Sequence, residues 1–579
     1  MSVIESSIPA VLRERASLQP NDIAFTFMDY DHDADGVAIS LTWSQLYQQS
    51  VSLAYELRQH GEVGDRVVIV APQSLEYVLG FLGALEAGMI AVPLTQPMMG
   101  HHDERVISVM KDSQPAVALT TKANIDAVTP YATPNDDGRA PTVLAVDDLD
   151  LTIRRKAASR REVRPDTAYL QYTSGSTRTA AGVMVSHRNV SANYEQMIAV
   201  FFSEWGKVAP PGSTVVSWLP LYHDMGLLLG VCTPILGGWH TVMTSPISFL
   251  VKPARWVQLM GSHKNVITAA PNFAFDLAAA RTTDEDMAGL DLSSVLTVFS
   301  GAERVQPTTV KRYIQRFTKF GLPGKSIRPS YGLAEATLYV ASRESGEPPT
   351  VVDFDTEKLA DGIVERVESG SPLVSYGAPD SPLVRIVDPE TRLVVADGIV
   401  GEIWTHGENV CAGYWNKPEE TAKTFGGVLE NASEGTPSDG WLRTGDLGFI
   451  SEGALFIIGR IKDLLIIRGR NLYPDDIEAT VSAVSGGRTA AVGFEEDGVE
   501  QFAVVIEIKK RGDTEDEIRE NLAQVKHDVT SAISQAHGVN AADLVLVGRG
   551  SIPITTSGKI RRQACTELYR KGELARLDA

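Results

Sequence analysis

"TAYLQYTSGSTRTAAG", residues 167–182, is the stretch whose reading decides the fold. An apolar, β-rich run leads into a cluster of hydroxyls and glycines. Thr173, Ser174, Ser176 and Thr177 supply hydroxyl donors, and Gly175 and Gly182 let the backbone bend so that N–H groups turn toward an anion. Such a loop can hold phosphate oxygens without a lysine. It closes on Ala180, Ala181 and Gly182, so it lacks the Gly-Lys-Ser/Thr ending of the Walker A pattern. Taken alone, it reads either as a structural turn between a strand and a helix or as a phosphate grip.

The sequence on either side repeats the same rhythm. "RVVIVAP" (66–72), "YVLGFLGALEAG" (77–88), "IAVPL" (90–94) and "VALTT" (117–121) alternate strand-like and helix-like patterns. "STVVSWLP" (213–220) and "VLTVFSGAE" (295–303) continue it. Stacked strand–helix units of this kind predict an α/β fold with largely parallel sheets and flanking helices. From Val384 the pattern changes to short strands and turns, which predicts a β-rich subdomain over about 384–458. After a hinge at 459–463 comes a compact α+β set over 464–579. It comprises strands "TAAVGF" and "QFAVVIEIK", a helix over 514–536 and strand "DLVLVG". The organisation expected is a large N-terminal region, residues 1–458, and a small mobile C-terminal domain.

Composition narrows the function classes. The 579 residues are 43% hydrophobic and 22% charged, enough for a large core, and the formal charge of −20 argues against a nucleic-acid surface. Cys232, Cys411 and Cys565 have no metal-ligand spacing, which favours a reducing compartment over a disulfide framework. The N-terminal "MSVIESSIPAVLRERASLQP" reads as a short amphipathic helix rather than a signal peptide. Within the longest uncharged run, the stretch Met225 to Met243 is broken by Gly and Pro234 and reads as a buried helix and strand, not a membrane span. A cytoplasmic location is expected.

Four further stretches shift the reading of the loop at 172–182. "PSYGLAEAT" (329–337) places Glu335 after a Tyr-Gly turn, and "WLRTGDLG" (441–448) presents Asp446 at a strand end. "IIGRIKDLLIIRGRNLYPDDIE" (457–478) carries Arg460 and Lys462, and "PITTSGKIRR" (553–562) places Lys559 after a Gly turn. Each alone could be a turn in a large protein, an Asp cap or an exposed basic patch. Their order and wording together are specific.

With these motifs the chain resembles the adenylate-forming superfamily of acyl-CoA synthetases, luciferases and peptide-synthetase adenylation domains, over nearly its whole length. The resemblance implies that Thr173 to Thr177 hold the β- and γ-phosphates of ATP. It implies that Ser300, Gly301, Ala302 and Glu303 line one face of adenine, and that Ser330, Tyr331, Gly332, Leu333 and Ala334 form the facing segment, with Tyr331 stacked on the ring. Glu335 then resembles the Mg²⁺ ligand, Asp446 the carboxylate on the ribose, helped by Arg460, and Lys462 the hinge. Lys559 resembles the lysine that contacts the substrate carboxylate and the α-phosphate. A cation aimed at the phosphoryl oxygens would stabilise charge that builds there in the transition state.

The wording "SWLPLYHDMGL", "TSPISFL", "AAPNFAFDLA" and "RGSIPITTSGK" is similar, more narrowly, to fatty acyl-AMP ligases of the mycobacterial lipid-synthesis type. That resemblance implies activation of a long-chain fatty acid as acyl-AMP and transfer to an acyl carrier domain of a polyketide synthase on a separate chain. Arg178 and the lost lysine of the loop fit that branch, although Ala180 departs from its usual Pro. The long spacing from Glu335 to Gly401 implies the family's insertion at about 355–375, thought to restrain the C-terminal swing. His223, in "PLYHDMG", is either a core histidine or, as the family implies, a neighbour of the phosphate and acyl carboxylate, with Asp224 beside it. "AAPNFAFDLAAAR" (269–281) is expected as a helix whose Asn272 and Phe273 either pack the core or line a fatty-acyl tunnel. An acyl-CoA synthetase and a catalytically silent acyl- or nucleotide-binding partner of a synthase are the rival readings.

Overall fold

Runs of β-branched residues build two large sheets. The computed structural model describes residues 7–97, 103–155, 165–173, 180–344, 346–467, 470–496, 499–555 and 558–578. One sheet has six strands in the order Thr142–Ala145, Val117–Thr120, Arg66–Val70, Ile90–Leu94, Thr167–Tyr172 and Gly182–Ser186. All of its pairs are parallel except the last. The other has eight, and its six inner strands are parallel. Ile90–Leu94 is buried at every position, as a strand covered on both faces requires. The chain is therefore α/β with parallel sheets, flanking helices and β-rich regions.

The connection after Tyr172 differs from its expected form. It joins two antiparallel strands, Thr167–Tyr172 and Gly182–Ser186, rather than a strand and a helix. The helix begins only at His187, where Ser186 and Asn189 form a reciprocal capping box. The alternation of Val183 and Val185, both buried, keeps the intervening segment extended. The segment "AAPNFAFDLAAAR" also divides: Ala269–Pro271 close a strand, and the helix runs Asn272–Arg281. Pro271, at φ −72° and ψ 159°, is the last extended residue.

A four-stranded antiparallel sheet follows, ordered Leu383–Val387, Gly401–His406, Leu442–Ser451 and Ala454–Arg460. Between it and the parallel sheets lies the hairpin of Val351–Phe354 and Ser371–Val374, with the short helix Thr356–Ala360 inside it. Phe354, Leu359 and Leu373 from that hairpin share one apolar cluster with Leu447, Phe449, Phe456, Ile458 and Tyr473. The cluster thus joins the segment after Glu335 to the chain beyond Asp463.

Beyond the turn Ile461–Asp463, Thr489–Glu496, Val499–Glu507 and Asp543–Val547 form a small sheet. Helix Glu515–His537 lies beside it, its N-terminus capped reciprocally by Thr514 and Glu517. Leu465, Ile477, Val504, Val529, Ile533 and Leu546 give this C-terminal unit its own core. Cys232, Cys411 and Cys565 are buried thiols without a disulfide. Among the described residues no helix is long and apolar enough to cross a membrane.

Candidate active site

The C-terminal ends of the central strands and the hairpin that bears Lys559 converge on one place. Strand Ile327–Gly332 delivers Tyr331, whose hydroxyl donates to Asp446 Oδ2 at 2.7 Å. Arg460 Nε meets the other oxygen, Asp446 Oδ1, at 2.8 Å. Asp446 is 5% exposed and lies within strand Leu442–Ser451, opposite Arg460, rather than at a strand end. The ladder with Ala454–Arg460 ends at this Asp446–Arg460 pair, whereas pairing with Gly401–His406 continues on both sides of Asp446. Both oxygens of this carboxylate are thereby oriented, a fixed acceptor for paired hydroxyls at the cleft rim.

Glu335 sits in a short 3₁₀ turn, Ala334–Ala336, just beyond the strand. Its Oε1 accepts from Tyr414 Oη at 2.8 Å, and its backbone carbonyl accepts from Cys411 N at 2.9 Å. Burial raises the Glu335 carboxyl above its ordinary range, opposed by the Tyr414 hydrogen bond. Two residues later Thr337 adopts φ +68° and ψ −56°, with Leu338 N bonded to Ala336 O at 2.8 Å. This is the strained form of the γ-turn, worth about 1–3 kcal/mol of backbone strain. Thr337 is buried, and its hydroxyl donates to Asn409 O at 2.7 Å, which holds the turn. Strain of this kind clusters at active sites and ligand clamps, which makes the Glu335 turn a candidate functional position.

The segment Ser300–Glu303 ends strand Val295–Gly301 and turns away through Ala302 at φ +68°. Ser300 Oγ is buried and has no hydrogen-bond partner among the described residues. Glu303 Oε1 accepts from Phe273 N at 2.9 Å, at the start of helix Asn272–Arg281. Burial raises the Glu303 carboxyl, opposed by that N–H and by the charge of Lys559. His223 stands at the N-terminal boundary of the helix turn Asp224–Leu227, which continues as a π-helical segment, Leu228–Cys232. A π segment adjoining a cleft is a recurrent feature of functional sites. Gly226 permits this approach: a Cβ there would stand 2.0 Å from the Pro220 carbonyl. Burial, then Lys559 and Arg105, push the His223 imidazole down to about 3, so it is neutral at physiological pH.

Lys559 arrives from the C-terminal unit on a tight hairpin. Its N–H donates to Thr555 Oγ1 at 3.0 Å, its carbonyl accepts from Thr555 N at 2.7 Å, and Ile554 bridges Ile560. Burial lowers the Lys559 ammonium, and Arg460 lowers it further; Asp224, Glu303 and Asp446 act against both. The preceding Gly558, at φ +87°, rests on the Phe273 ring. Lys462, in the turn Ile461–Asp463, is also lowered by burial and by Arg460.

The structure thus brings together Ser300 to Glu303, Tyr331, His223, Asp446, Arg460 and Lys559, with Glu335 and Phe273 at the margins. Thr173 N donates to Ala181 O at 3.4 Å at the mouth of the loop. Ser174, Gly175, Ser176, Thr177 and Arg178 lie outside the described residues. Asn272 is engaged in the fold: its Oδ1 accepts from Gln306 N and its Nδ2 donates to Thr309 Oγ1. Phe275, two residues after Phe273, belongs to the core against Trp256 and Tyr313. Three residues have no signal in their local sequence: Tyr414, which holds Glu335; Arg105, which faces His223; and Arg304, which reaches across to Asp476.

The orphaned Ser300 hydroxyl, the oriented Asp446 carboxylate and the buried Tyr331 ring suit a nucleoside. Among the described residues no group of three or more His, Cys, Asp or Glu could hold a metal ion. A single buried carboxylate such as Glu335 is nevertheless compatible with Mg²⁺, which is commonly held by one or two carboxylates plus substrate phosphates.

Comparison with known proteins shows the family. Residues 12–415 match the model of the AMP-binding enzyme family. A Mycobacterium tuberculosis protein provisionally named as a fatty-acid–CoA ligase, fadD25, is 58% identical over all of both chains. The long-chain-fatty-acid–AMP ligase FadD28 of the same organism is 55% identical over 99% of each. The crystal structure of a Legionella pneumophila fatty acyl-adenylate ligase, in complex with acyl adenylate and pyrophosphate, superposes with a TM-score of 0.74. It is 33% identical and covers 98% of this chain and 97% of that one. By the family model and by these relatives, the chain belongs to the AMP-binding enzyme family.

Proposed function

We propose that this protein activates a long-chain fatty acid with ATP, forming acyl-AMP and pyrophosphate, and passes the acyl group to an acyl carrier domain of a polyketide synthase. The observation that carries the reading is the seating of Lys559 among Asp224, Glu303 and Asp446, beside Tyr331 and Arg460. The relatives named for fatty acids supply the substrate class.

The reaction joins two anions. A carboxylate oxygen of the fatty acid attacks the α-phosphorus, and the bond to the bridging oxygen of pyrophosphate breaks. Lys559 is the cation at that meeting point, in a site sheltered enough for its charge to count. His223, neutral, can donate or accept one hydrogen bond to orient a reacting oxygen without adding charge. Asp446, held by Tyr331 and Arg460, positions the ribose, and Ser300 to Glu303 with Tyr331 enclose the adenine. Thr173 to Thr177 hold the outer phosphates. Mg²⁺, held by Glu335, would neutralise phosphate charge. Phe273 borders the acyl chain.

Residues 464–579 act as a mobile lid on the hinge at Lys462, over the N-terminal region of residues 1–458. The hairpin around residues 355–375 restrains it through the cluster of Phe354, Leu359 and Tyr473. This restraint favours a carrier domain over free CoA as acceptor. The second reading, an acyl-CoA synthetase, is favoured by the name of fadD25. A cytoplasmic location accords with either.

Incubation with ATP, Mg²⁺ and labelled lauric or palmitic acid is expected to yield acyl-AMP on thin-layer chromatography. Folded protein that makes none refutes the proposal. Adding CoA in one arm and a carrier domain in the other separates the two readings: abundant acyl-CoA supports the synthetase, and acyl-carrier product supports the ligase.

A further inference from the structure

Arg304 directly follows Glu303, the carboxylate that faces Lys559. Its side chain is only 8% exposed, yet it does not turn into the cleft. Its Nη1 pairs with Asp476 Oδ1 at 2.7 Å and donates to Ile458 O at 3.3 Å. Asp475 and Tyr376 also face it. Asp475 and Asp476 open the helix Pro474–Ser485 of the C-terminal unit. Asp475 Oδ1 in turn accepts from Arg562 at 2.8 Å, and Arg562 also pairs with Asp463 at 3.1 Å and Glu478 at 2.6 Å. Arg562 begins the helix that leaves the Lys559 hairpin. Two sets of half-buried ion pairs, Arg304 with Asp476 and Arg562 with Asp463, Asp475 and Glu478, therefore meet at the adjacent Asp475 and Asp476 and link the residue after Glu303 to the turn Ile461–Asp463 and the root of the Lys559 hairpin.

We propose that Arg304 is a positioning residue for adenylation: through Asp476 and the Asp475–Arg562 pair, it sets the C-terminal unit so that Lys559 enters the site. This rests on the function proposed above. Arg304 touches no reacting atom, so its effect passes through Lys559. A buried charge left without its partner is costly, so the docked arrangement depends on both members of the pair. A displacement of about 1 Å at a reacting group can slow a reaction by about 100-fold. Tyr331 and Asp446, the proposed nucleotide contacts, are held by each other and by Arg460 and not by Arg304 or Asp476, so loss of the pair should fall on turnover more than on ATP affinity.

The test compares wild type, Arg304→Gln, Arg304→Lys, Asp476→Asn and the Gln/Asn double variant in acyl-AMP formation with palmitic acid. Arg304→Gln is expected to lower kcat at least about tenfold while the KM for ATP stays within about twofold. Arg304→Lys should restore part of kcat by keeping the charge. The double variant should be no slower than the slower single one, since both remove the same pair. Asp476, on the more exposed side at 27%, carries the test should Arg304→Gln fail to fold. Wild-type kcat in Arg304→Gln or Asp476→Asn, additive losses, or a loss confined to KM would overturn the proposal. Wild-type protein that makes no acyl-AMP would instead refute the function on which the proposal rests.

Discussion

Gly558→Ala tests whether the docked lysine hairpin is the state in which adenylation occurs. Two costs can be worked from the geometry. Gly558 has φ +87°, where an L-residue pays about 1–2 kcal/mol. Its new Cβ would also stand 2.9 Å from Phe273 Cε1, 3.2 Å from Cδ1 and 3.4 Å from Cζ. Carbon atoms pack best at about 3.5–4.0 Å, so one partner must retreat by about 0.6–1 Å. Phe273 is poorly placed to do so. Its N–H is held by Glu303 at 2.9 Å and its ring lies edge-on to Trp218, with centroids 6.3 Å apart. The hairpin must move instead, and Lys559 moves with it. A shift of that size should slow acyl-AMP formation about tenfold to a hundredfold, equivalent to about 1.4–2.7 kcal/mol of barrier. The assay is steady-state release of pyrophosphate with palmitic acid, alongside a thermal melt to confirm folding. Phe273→Ala removes the obstacle, so adding Gly558→Ala to that background should cost distinctly less than it does alone. A Gly558→Ala enzyme within twofold of wild type, or an undiminished cost in the Phe273→Ala background, would refute the reasoning.

The pH dependence follows from Lys559. Burial and Arg460 hold its ammonium below the ordinary 10.5, and the cation is the working form, so activity is lost as pH rises through that lowered value. The kcat/KM profile, which reports the free enzyme, should bend downward below pH 10.5; in Lys559→Arg the residual activity should lack that limb, because Arg stays charged. A wild-type profile flat to pH 10.5, or an unchanged limb in Lys559→Arg, would remove this lysine from the step. Glu335→Gln should raise the Mg²⁺ concentration for half-maximal rate at least about tenfold, since Gln keeps the Tyr414 hydrogen bond but loses the charge. Tyr414→Phe should do so by less, about fivefold, and an unchanged Mg²⁺ titration in Glu335→Gln would deny Glu335 the metal.

How far the fold is legible depends on whether a signal is local. The helix expected over 514–536 lies within one residue of the observed Glu515–His537, because the Thr514–Glu517 cap and the Gly538 stop both lie in the sequence beside it. The turn after Tyr172 suggests a helix to follow and leads to a strand. Five residues from Gly182 suit either an edge strand or a helix approach, and only pairing with Thr167–Tyr172 selects the strand. Asp446 reads as a strand end, and its ladder with Ala454–Arg460 does end there; only pairing with Gly401–His406 on the other side carries the strand back to Leu442.

By itself, the amino-acid sequence determined the layered α/β character, the β-rich stretch before Arg460, and the types of residue at the site. Those follow from periodicity, caps and motif wording, which act over a few residues. Only the tertiary structure decided who meets whom. Tyr414 on Glu335, Gly558 on Phe273, Arg304 on Asp476 and Arg562 between Asp463 and Glu478 are pairings between segments far apart along the chain. Nothing local encodes such pairs. They exist because burial forces each charged or polar group to find a partner wherever the packed sheets and the C-terminal unit bring one within reach. The lysine missing from residues 172–182 is the clearest case. In the function proposed here its charge is supplied by Lys559, and only the docking of the C-terminal hairpin places that lysine beside Asp224, Glu303 and Asp446.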